Sequence, residues 1–178
     1  GSVTLPYSFL CTIVLKDGEI MDFPKRKSPR IPGYDYATPN YYFITICTYD
    51  KTCIFGTPGR LNEYGKIAEE HLRKIPGLNP RIKLDKYVVM PNHIHVIFIV
   101  TGDNSDSGSR DLSVCIGQYK MSVTKKIRIR ENGKKVWQRS FHDHVIRNQN
   151  DYEKIWTYIE NNPLKWKEDC FYTVGEGH

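Results

Sequence analysis

Two histidines separated by one residue, His93 and His95, are the side chains of this sequence best suited to bind a metal ion. They open the run HIHVIFIV, in which all the other residues are apolar. Alternate side chains of a β-strand share a face, so the two imidazoles would project together with Cα atoms roughly 6 to 7 Å apart. A strand that is apolar on both faces is expected at the centre of a covered sheet. The spacing therefore indicates either a rigid two-histidine metal site or two half-buried, hydrogen-bonded histidines.

A second pair of histidines with the same spacing, His142 and His144, occurs later in the chain. Both lie in residues 136–146, VWQRSFHDHVI, which we interpret as another core strand. Trp137 and Phe141 share one face of that strand, where they are either core residues or a stacking surface for bases, and we favour the core. The spacing alone does not decide which histidine pair would hold a metal.

The last predicted helix carries a tyrosine and an amide that its apolar stripe does not use. The helix is predicted to begin near Asn150, which with Glu153 resembles a capping box, and to end at Asn162 before Pro163. At about 100° per residue, Tyr158 and Asn162 lie together on an edge roughly 90° from the apolar stripe. They would face either the end of the sheet or the solvent. The stripe itself consists of Tyr152, Ile155, Trp156 and Ile159.

Two histidines on a central strand, a tyrosine outside the apolar stripe and a basic surface together suggest metal-assisted phosphoryl transfer. In this hypothesis the metal neutralises charge on a scissile phosphate, Tyr158 attacks phosphorus, and a sugar hydroxyl departs. One tyrosine is enough to cleave one strand at a time.

The order of the predicted elements determines how these residues are positioned. The elements follow the order strand, helix, strand, strand, helix, strand. This is the order of the ferredoxin-like fold, an α+β fold that has an antiparallel sheet with helices on one face. The tyrosine-bearing helix is an addition after the fourth strand. The predicted strands are 41–49, 82–89, 93–100 and 136–146, and the predicted helices are 61–75, about 111–130 and about 150–162.

The first thirty residues are predicted to form a separate unit. Residues 8–23 have the pattern of two short strands around Asp17-Gly18, a dipeptide suited to a tight hairpin turn. Four basic residues then fall among three prolines, in an extended arm that either follows a phosphate backbone or is solvated. We therefore divide the chain into a hairpin with a basic arm, residues 1–30, and a catalytic domain, residues 31–170.

The surplus of basic residues favours a polyanionic partner such as nucleic acid. The chain has 26 Lys and Arg against 20 Asp and Glu, a net charge of +6. The helix at 111–130 carries its cations on the side away from its apolar stripe, almost without acids. So one-sided a surface favours contact with phosphates over a merely solvated helix face. The residues that we assign to DNA binding are Lys25, Arg26, Lys27, Arg30, Lys120, Lys125, Lys126, Arg128, Arg130, Arg139 and Arg147.

Composition argues against several other classes of protein. The five cysteines are scattered and form no CxxC pair, which indicates reduced thiols rather than a disulfide framework or a zinc knuckle. The longest apolar run near the start, residues 9–15, lacks a preceding basic region and is too short to span a bilayer. We therefore expect a cytoplasmic, nucleoid-associated protein without a signal peptide or membrane segment.

Four motifs in order resemble a known family. They are similar to motifs of the HUH single-tyrosine transposases of the smallest bacterial insertion sequences. The motifs are RIPGYDY leading into YYFITICT, then VVMPNHIHVI, VWQRSFHDHVIRN and YIENNPLKW. The resemblance is greatest to their REP-associated tyrosine transposase branch and covers about residues 31–166. The N-terminal hairpin has no counterpart in this pattern.

The resemblance implies a fold, an activity and a set of site residues. His93 and His95 would be the metal-binding pair, Tyr158 the nucleophile and Asn162 a third ligand. His144 also matches a family position, whereas the second histidine pair is not expected to be the metal site. Members of the family cleave and rejoin single-stranded DNA at palindromic hairpins with Mg²⁺ or Mn²⁺, which gives a 5′-phosphotyrosine and a free 3′-OH. Insertion-sequence members are homodimers that exchange the tyrosine helix, whereas REP-associated members can act as monomers.

Three hypotheses follow for the function. The first is a metal-dependent single-stranded DNA endonuclease and strand-transferase. The second is a domesticated hairpin DNA-binding protein without strand cleavage, which the basic helix and arm would also suit. The third is a metal hydrolase of small substrates that uses the histidine pair.

Overall fold

The computed structural model describes residues 12–14, 20–22, 30–102 and 111–173. Strands β1 (Thr12–Val14) and β2 (Ile20–Asp22) pair in antiparallel fashion, as the pattern around their turn predicts. The predicted DNA contacts Lys25, Arg26 and Lys27 lie outside the described residues. The division of the chain at residue 30 remains a prediction.

A four-stranded antiparallel sheet forms the centre of the fold. Its strands lie side by side in the order β6, β7, β3, β8, which is the strand order of the ferredoxin-like fold, so the predicted fold class is confirmed. From residue 40 the elements are β3 (Asn40–Cys47), β4 (Gly56–Thr57), β5 (Arg60–Leu61), α1 (Glu63–Arg73), β6 (Ile82–Val89), β7 (His93–Val100), α2 (Leu112–Arg128), β8 (His142–Ile146) and α3 (Gln149–Asn161).

Helices α1 and α2 cover one face of the sheet. Each begins at a side chain that caps it, since Asn62 accepts a hydrogen bond from Gly65 N and Asp111 accepts one from Val114 N. The predicted apolar stripe of α2 is entirely buried and packs in one core with alternate residues of β3 and β7. The stripe residues are Leu112, Ile116, Tyr119, Val123 and Ile127.

Helix α3 covers the opposite face of the sheet. Its Ile155 and Ile159 are buried against Phe43, Ile97 and Ile146 of the strands. Because α3 lies on this side, the two histidines of β7 are enclosed rather than solvated. In the described part of the chain no helix has both the length and the apolar character needed to cross a membrane.

Two details of α3 differ from the prediction. The cap is Asn148 rather than Asn150, because the Asn148 side chain accepts the hydrogen bond from Asp151 N. Trp156 is 37% exposed and is not a core residue. Instead its ring lies 4.0 Å from Lys86 Nζ, in a cation–π contact at the edge of the sheet.

Residues 136–146 do not form one continuous strand, so this prediction is wrong for the first half of the segment. Only His142–Ile146 pairs as β8, and residue 137 makes an isolated bridge to Thr48. The carbonyls of Gln138 and Ser140 accept hydrogen bonds from Lys120 Nζ at 2.5 and 2.9 Å, while Gln138 N still donates to the Cys47 carbonyl at the end of β3. The interpretation as core is confirmed for Phe141, which is buried in the main core, whereas Trp137 is only partly buried and packs against that core.

The cysteines do not share one state. Cys47, Cys53 and Cys115 are free thiols, as predicted. Cys170 is disulfide-bonded, so the prediction of reduced thiols is wrong at that position.

Candidate active site

His93 and His95 lie side by side at the start of β7, on the face covered by α3. Both are fully buried, and their ring centroids are 4.4 Å apart. Each Nδ1 atom has a hydrogen-bond partner at 2.8 Å, which is Asn92 Oδ1 for His93 and Thr45 Oγ1 for His95. The two Nε2 atoms therefore point away from the sheet, which is the arrangement expected of two metal ligands held from behind.

The carboxylate of Asp169 faces both histidines. Its Oδ2 atom lies 3.8 Å from Nε2 of His93 and 3.7 Å from Nε2 of His95. All three side chains are buried, and their ligand atoms lie within 4.8 Å of one another. Two histidine nitrogens and a carboxylate oxygen at this separation form a donor set that divalent cations use.

Tyr158 and Asn162 reach the same carboxylate from α3. The Tyr158 hydroxyl donates to Asp169 Oδ2 at 2.7 Å and lies 3.0 Å from His95 Nε2. Asn162 Nδ2 also donates to Asp169 Oδ2. The structure thus brings together the predicted residues His93, His95, Tyr158 and Asn162, all within one chain.

Two buried polar atoms of this cluster, His93 Nε2 and Asn162 Oδ1, have no hydrogen-bond partner among the described residues. A buried acceptor left without a partner is unfavourable by about 1–3 kcal/mol, and such atoms are rare in folded proteins. Both are good ligand atoms for a cation. The residues present therefore fit a divalent metal ion.

The electrostatics of the cluster also favour a cation. Burial opposes ionisation of Asp169, but the nearby His95 and His93 and the Tyr158 hydroxyl hold the pKa of this carboxyl well below its usual range. Burial and the neighbouring His95 lower the pKa of His93 well below its ordinary value. Burial, and then the Asp169 charge, raise the pKa of Tyr158. The cluster thus holds an ionised carboxylate beside a neutral His93 and a protonated phenol.

Asp169 is a site residue that no pattern in the sequence predicted. It follows a short 3₁₀ helix, Trp166–Glu168, in a segment without apolar periodicity that returns from the end of α3 to the histidines. Asp169 Oδ1 accepts from Phe171 N at 2.7 Å, and the buried Phe171 ring lies 4.7 Å from the His93 ring. An aspartate that bonds to the amide two residues on forms an Asx turn, a local pattern that does not by itself indicate a metal ligand.

The second histidine pair lies outside the cluster. His144 Nε2 lies 2.8 Å from Asp151 Oδ2 at the start of α3, where both side chains are partly exposed. His142 lies on β8 opposite Thr45, and its ring is 5.9 Å from that of Phe171. Neither histidine belongs to the group of described residues that could hold a metal.

Several predicted DNA contacts are engaged within the protein. Arg30 lies over the rings of Tyr36 and Phe141 at 4.9 Å, and Arg130 forms an ion pair with Glu63 at 2.5 Å. Lys120 is partly buried against the backbone carbonyls of Gln138 and Ser140, and burial lowers the pKa of its ammonium to about 8. The exposed members of the set are Lys125, Lys126, Arg128, Arg130, Arg139 and Arg147, so the ion pair of Arg130 lies at the surface.

A shallow groove of about 520 Å³ runs along the exposed side of α2. The charged residues that line it are all basic, Lys120, Lys125 and Arg128, and its apolar walls include Trp137. The exposed Met121 and Ile129 complete those walls, and they are 66% and 73% exposed. Such a groove suits a nucleic acid, because the cations can contact its phosphates and the apolar walls can contact its bases.

Comparisons with known proteins identify relatives of the chain. An uncharacterized protein of Haemophilus influenzae is 31% identical over 167 residues, which cover 83% of this chain and 93% of the relative. Another protein of that organism, assigned by name to the REP-associated tyrosine transposases, is 27% identical and covers 74% of each chain. A REP-associated tyrosine transposase of Escherichia coli is 31% identical over 83 residues, which cover 47% of this chain and 45% of the relative. The chain is a homologue of REP-associated tyrosine transposases.

A solved structure supports the fold described for this chain. A REP-associated tyrosine transposase bound to a REP hairpin matches with a TM-score of 0.57 at 23% identity, over 72% of this chain and 68% of that chain. At this identity the match supports the ferredoxin-like fold alone. No family model matches the chain.

Proposed function

We propose that the chain is a metal-dependent single-stranded DNA endonuclease and strand-transferase that acts at hairpin DNA. The observation that carries this proposal is the buried cluster, in which the Tyr158 oxygen lies 3.0 Å from His95 Nε2 and bonds to Asp169. The homologous REP-associated tyrosine transposases support the same reaction class.

The proposed metal ligands are the two histidine Nε2 atoms with Asp169 Oδ2 or Asn162 Oδ1 as a third. The unpartnered His93 Nε2 and Asn162 Oδ1 atoms support this assignment. Mg²⁺ or Mn²⁺ bound there would supply positive charge that neutralises the scissile phosphate. The choice between these two ions remains part of the proposal.

Tyr158 is the proposed nucleophile. Its oxygen attacks the phosphorus of a phosphodiester, and the P–O3′ bond breaks as the bond to tyrosine forms. One proton moves in the step, because the phenol gives up its proton along the hydrogen bond to Asp169 Oδ2 and the departing 3′ oxygen takes up that proton. The products are a 5′-phosphotyrosine and a free 3′-OH, and attack by another 3′-OH reverses the step and joins a new strand.

The exposed cations would hold the DNA. The groove along α2 carries Lys125 and Arg128 without a lining acid, and its apolar walls could receive a base. Lys126, Arg139 and Arg147 add exposed charge, and so does Arg130, which is paired with Glu63 at the surface. Arg30 and Lys120 are partly buried and engaged within the protein. We retain Lys25, Arg26 and Lys27 as proposed contacts.

The test is formation of a covalent protein–DNA adduct. Hairpin-bearing oligonucleotides incubated with the protein and Mn²⁺ should give an adduct that Tyr158→Phe abolishes. Tyr152→Phe is a matched control, because Tyr152 lies on the same helix but bonds to Asp85 at 2.8 Å, outside the cluster. Persistence of the adduct in Tyr158→Phe would remove Tyr158 from this role.

Hairpin DNA binding without cleavage is the second candidate function. The burial of His93, His95 and Asp169 favours it, because a scissile phosphate needs access to that cluster. This alternative predicts salt-sensitive hairpin binding that His93→Ala leaves unchanged, together with no adduct in any metal.

The Tyr158 oxygen lies 3.0 Å from Nε2 of His95 in the same chain, which supports a site formed by a single subunit. A monomer that cleaves in cis is therefore the simplest form of the proposal, and a homodimer is the alternative. A cytoplasmic location at the nucleoid would suit either form.

A further inference from the structure

The side chain of Asn92 joins three parts of the site. It is 1% exposed and lies in the turn between β6 and β7, next to His93. Its Nδ2 atom donates to the carbonyl oxygens of Lys51 at 3.0 Å and Phe171 at 2.9 Å. Its Oδ1 atom lies 2.8 Å from His93 Nδ1.

These contacts fix the orientation of the Asn92 amide. A backbone carbonyl oxygen only accepts hydrogen bonds, so the amide nitrogen must face Lys51 and Phe171. The amide oxygen must then face His93. Because an amide oxygen also only accepts, the proton of that hydrogen bond has to come from His93 Nδ1.

We propose, on the basis of the proposed metal-dependent function, that Asn92 is a positioning residue that holds His93 in the Nδ1–H tautomer and so directs the lone pair of Nε2 to the metal site. In a neutral imidazole only one nitrogen carries a proton. The fully buried Nε2 atom of His93 has no hydrogen-bond partner, as expected of an acceptor kept for a cation and not of an N–H group.

His95 differs in this respect. Its Nδ1 atom faces the Thr45 hydroxyl at 2.8 Å, and a hydroxyl can donate or accept. Thr45 therefore orients the His95 ring without selecting a tautomer, whereas Asn92 does both for His93.

The loop that presents the Lys51 carbonyl is strained. Asp50 and Lys51 both have φ of +53°, in the left-handed region that residues other than glycine rarely adopt. Strained backbone persists where neighbouring contacts hold it, often at functional sites. Here the contact with Asn92 Nδ2 is one such restraint.

The first test measures the ring tautomer in the metal-free protein. Long-range ¹H–¹⁵N correlation spectra distinguish protonated from unprotonated imidazole nitrogens, and His93→Gln identifies the signals of His93. The expected result is a proton on Nδ1 and none on Nε2. A proton on Nε2 would overturn the proposal, whether or not the protein cleaves DNA.

The second test separates tautomer control from structural support. Asn92→Ala removes both the acceptor for His93 Nδ1–H and the donors to the two carbonyls. It should weaken Mn²⁺ binding, measured by calorimetry, by roughly 10- to 100-fold. Asn92→Asp keeps an acceptor for Nδ1–H but removes both donors, so it should retain the tautomer and bind Mn²⁺ within a few-fold of the parent. If a folded Asn92→Asp binds Mn²⁺ as weakly as Asn92→Ala, the role is structural support and the proposal is wrong.

Asn79→Ala is the matched control, because Asn79 is a buried loop amide, 3% exposed, whose Oδ1 accepts from Arg81 N away from the site. It should leave the His93 tautomer and Mn²⁺ affinity unchanged. Parent protein that shows the Nδ1–H tautomer but forms no adduct would refute the proposed function and leave the tautomer assignment standing.

Discussion

Replacement of Asp169 by alanine should destabilise the protein even without metal or DNA. In Asp169→Ala the buried donors Phe171 N and Asn162 Nδ2 are left without their acceptor, and each unsatisfied donor costs about 1–3 kcal/mol. The Tyr158 hydroxyl keeps a partner, because His95 Nε2 is 3.0 Å away. Release of the segment after α3 that contains Asp169 and Phe171, here called the tail, would hydrate Phe171 N. It would also expose the buried Phe171 ring, which costs up to about 3 kcal/mol.

We therefore expect Asp169→Ala to lower the free energy of unfolding by about 2–4 kcal/mol. For a chain of this length that corresponds to a fall in Tm of roughly 4–16 °C. The assay is urea and thermal unfolding in the presence of EDTA, so that metal binding does not contribute.

Glu168→Ala is the control for Asp169→Ala. The Glu168 side chain is 63% exposed and lies 3.6 Å from Lys165 Nζ, so this substitution should change stability by less than about 0.5 kcal/mol. A destabilisation below about 1 kcal/mol in Asp169→Ala, with unchanged denaturant dependence, would show that the carboxylate does not hold the tail against the histidines.

Three further predictions concern metal binding, DNA binding and the start of α3. Mn²⁺ at about 100 times its Kd should stabilise the parent by about 2.7 kcal/mol in thermal-shift assays, and His93→Ala should remove this gain. The double substitution of Lys125 and Arg128 by alanine should weaken hairpin binding and reduce the salt dependence of log K by roughly 0.7 to 0.9 for each phosphate that these side chains neutralise. In filter-binding titrations, unchanged salt dependence would exclude the α2 groove as a DNA surface. Asn148→Ala should cost about 1 kcal/mol because it removes the helix cap, whereas Asn150→Ala should change urea unfolding little; equal destabilisation by the two substitutions would refute this assignment of the cap.

Regular periodicity explains why most of the fold could be predicted. The helix that buries Ile116 and Val123 follows an apolar spacing of 3.6 residues, and the strand that begins at His93 is apolar on both faces, as expected of a central strand that is covered on both sides. The same logic placed Tyr158 and Asn162 together because both face away from the stripe of α3. It failed at Asn148, because two asparagines in one short segment offered alternative caps.

The contacts of residues that join segments distant in the sequence could not be predicted. Lys120 was predicted to bind DNA because it lies on the basic side of α2, yet it satisfies two backbone carbonyls of a distant segment. Asp169 lies in a segment without periodicity, and only the return of the chain to β7 brings it to the histidines. Sequence patterns describe one element at a time, whereas these contacts depend on how elements meet.

The alternation of side chains along β7 means that one strand register places both the core residues and the site histidines. Ile94 and Val96 fill the core beneath α1 and α2 from the positions between and after the histidines. A deletion of one residue before them would exchange the two sets and place imidazoles in that core. A variant that keeps the fold but loses the proposed site can therefore arise by point substitution at His93 or Tyr158, whereas a register shift would destroy both together.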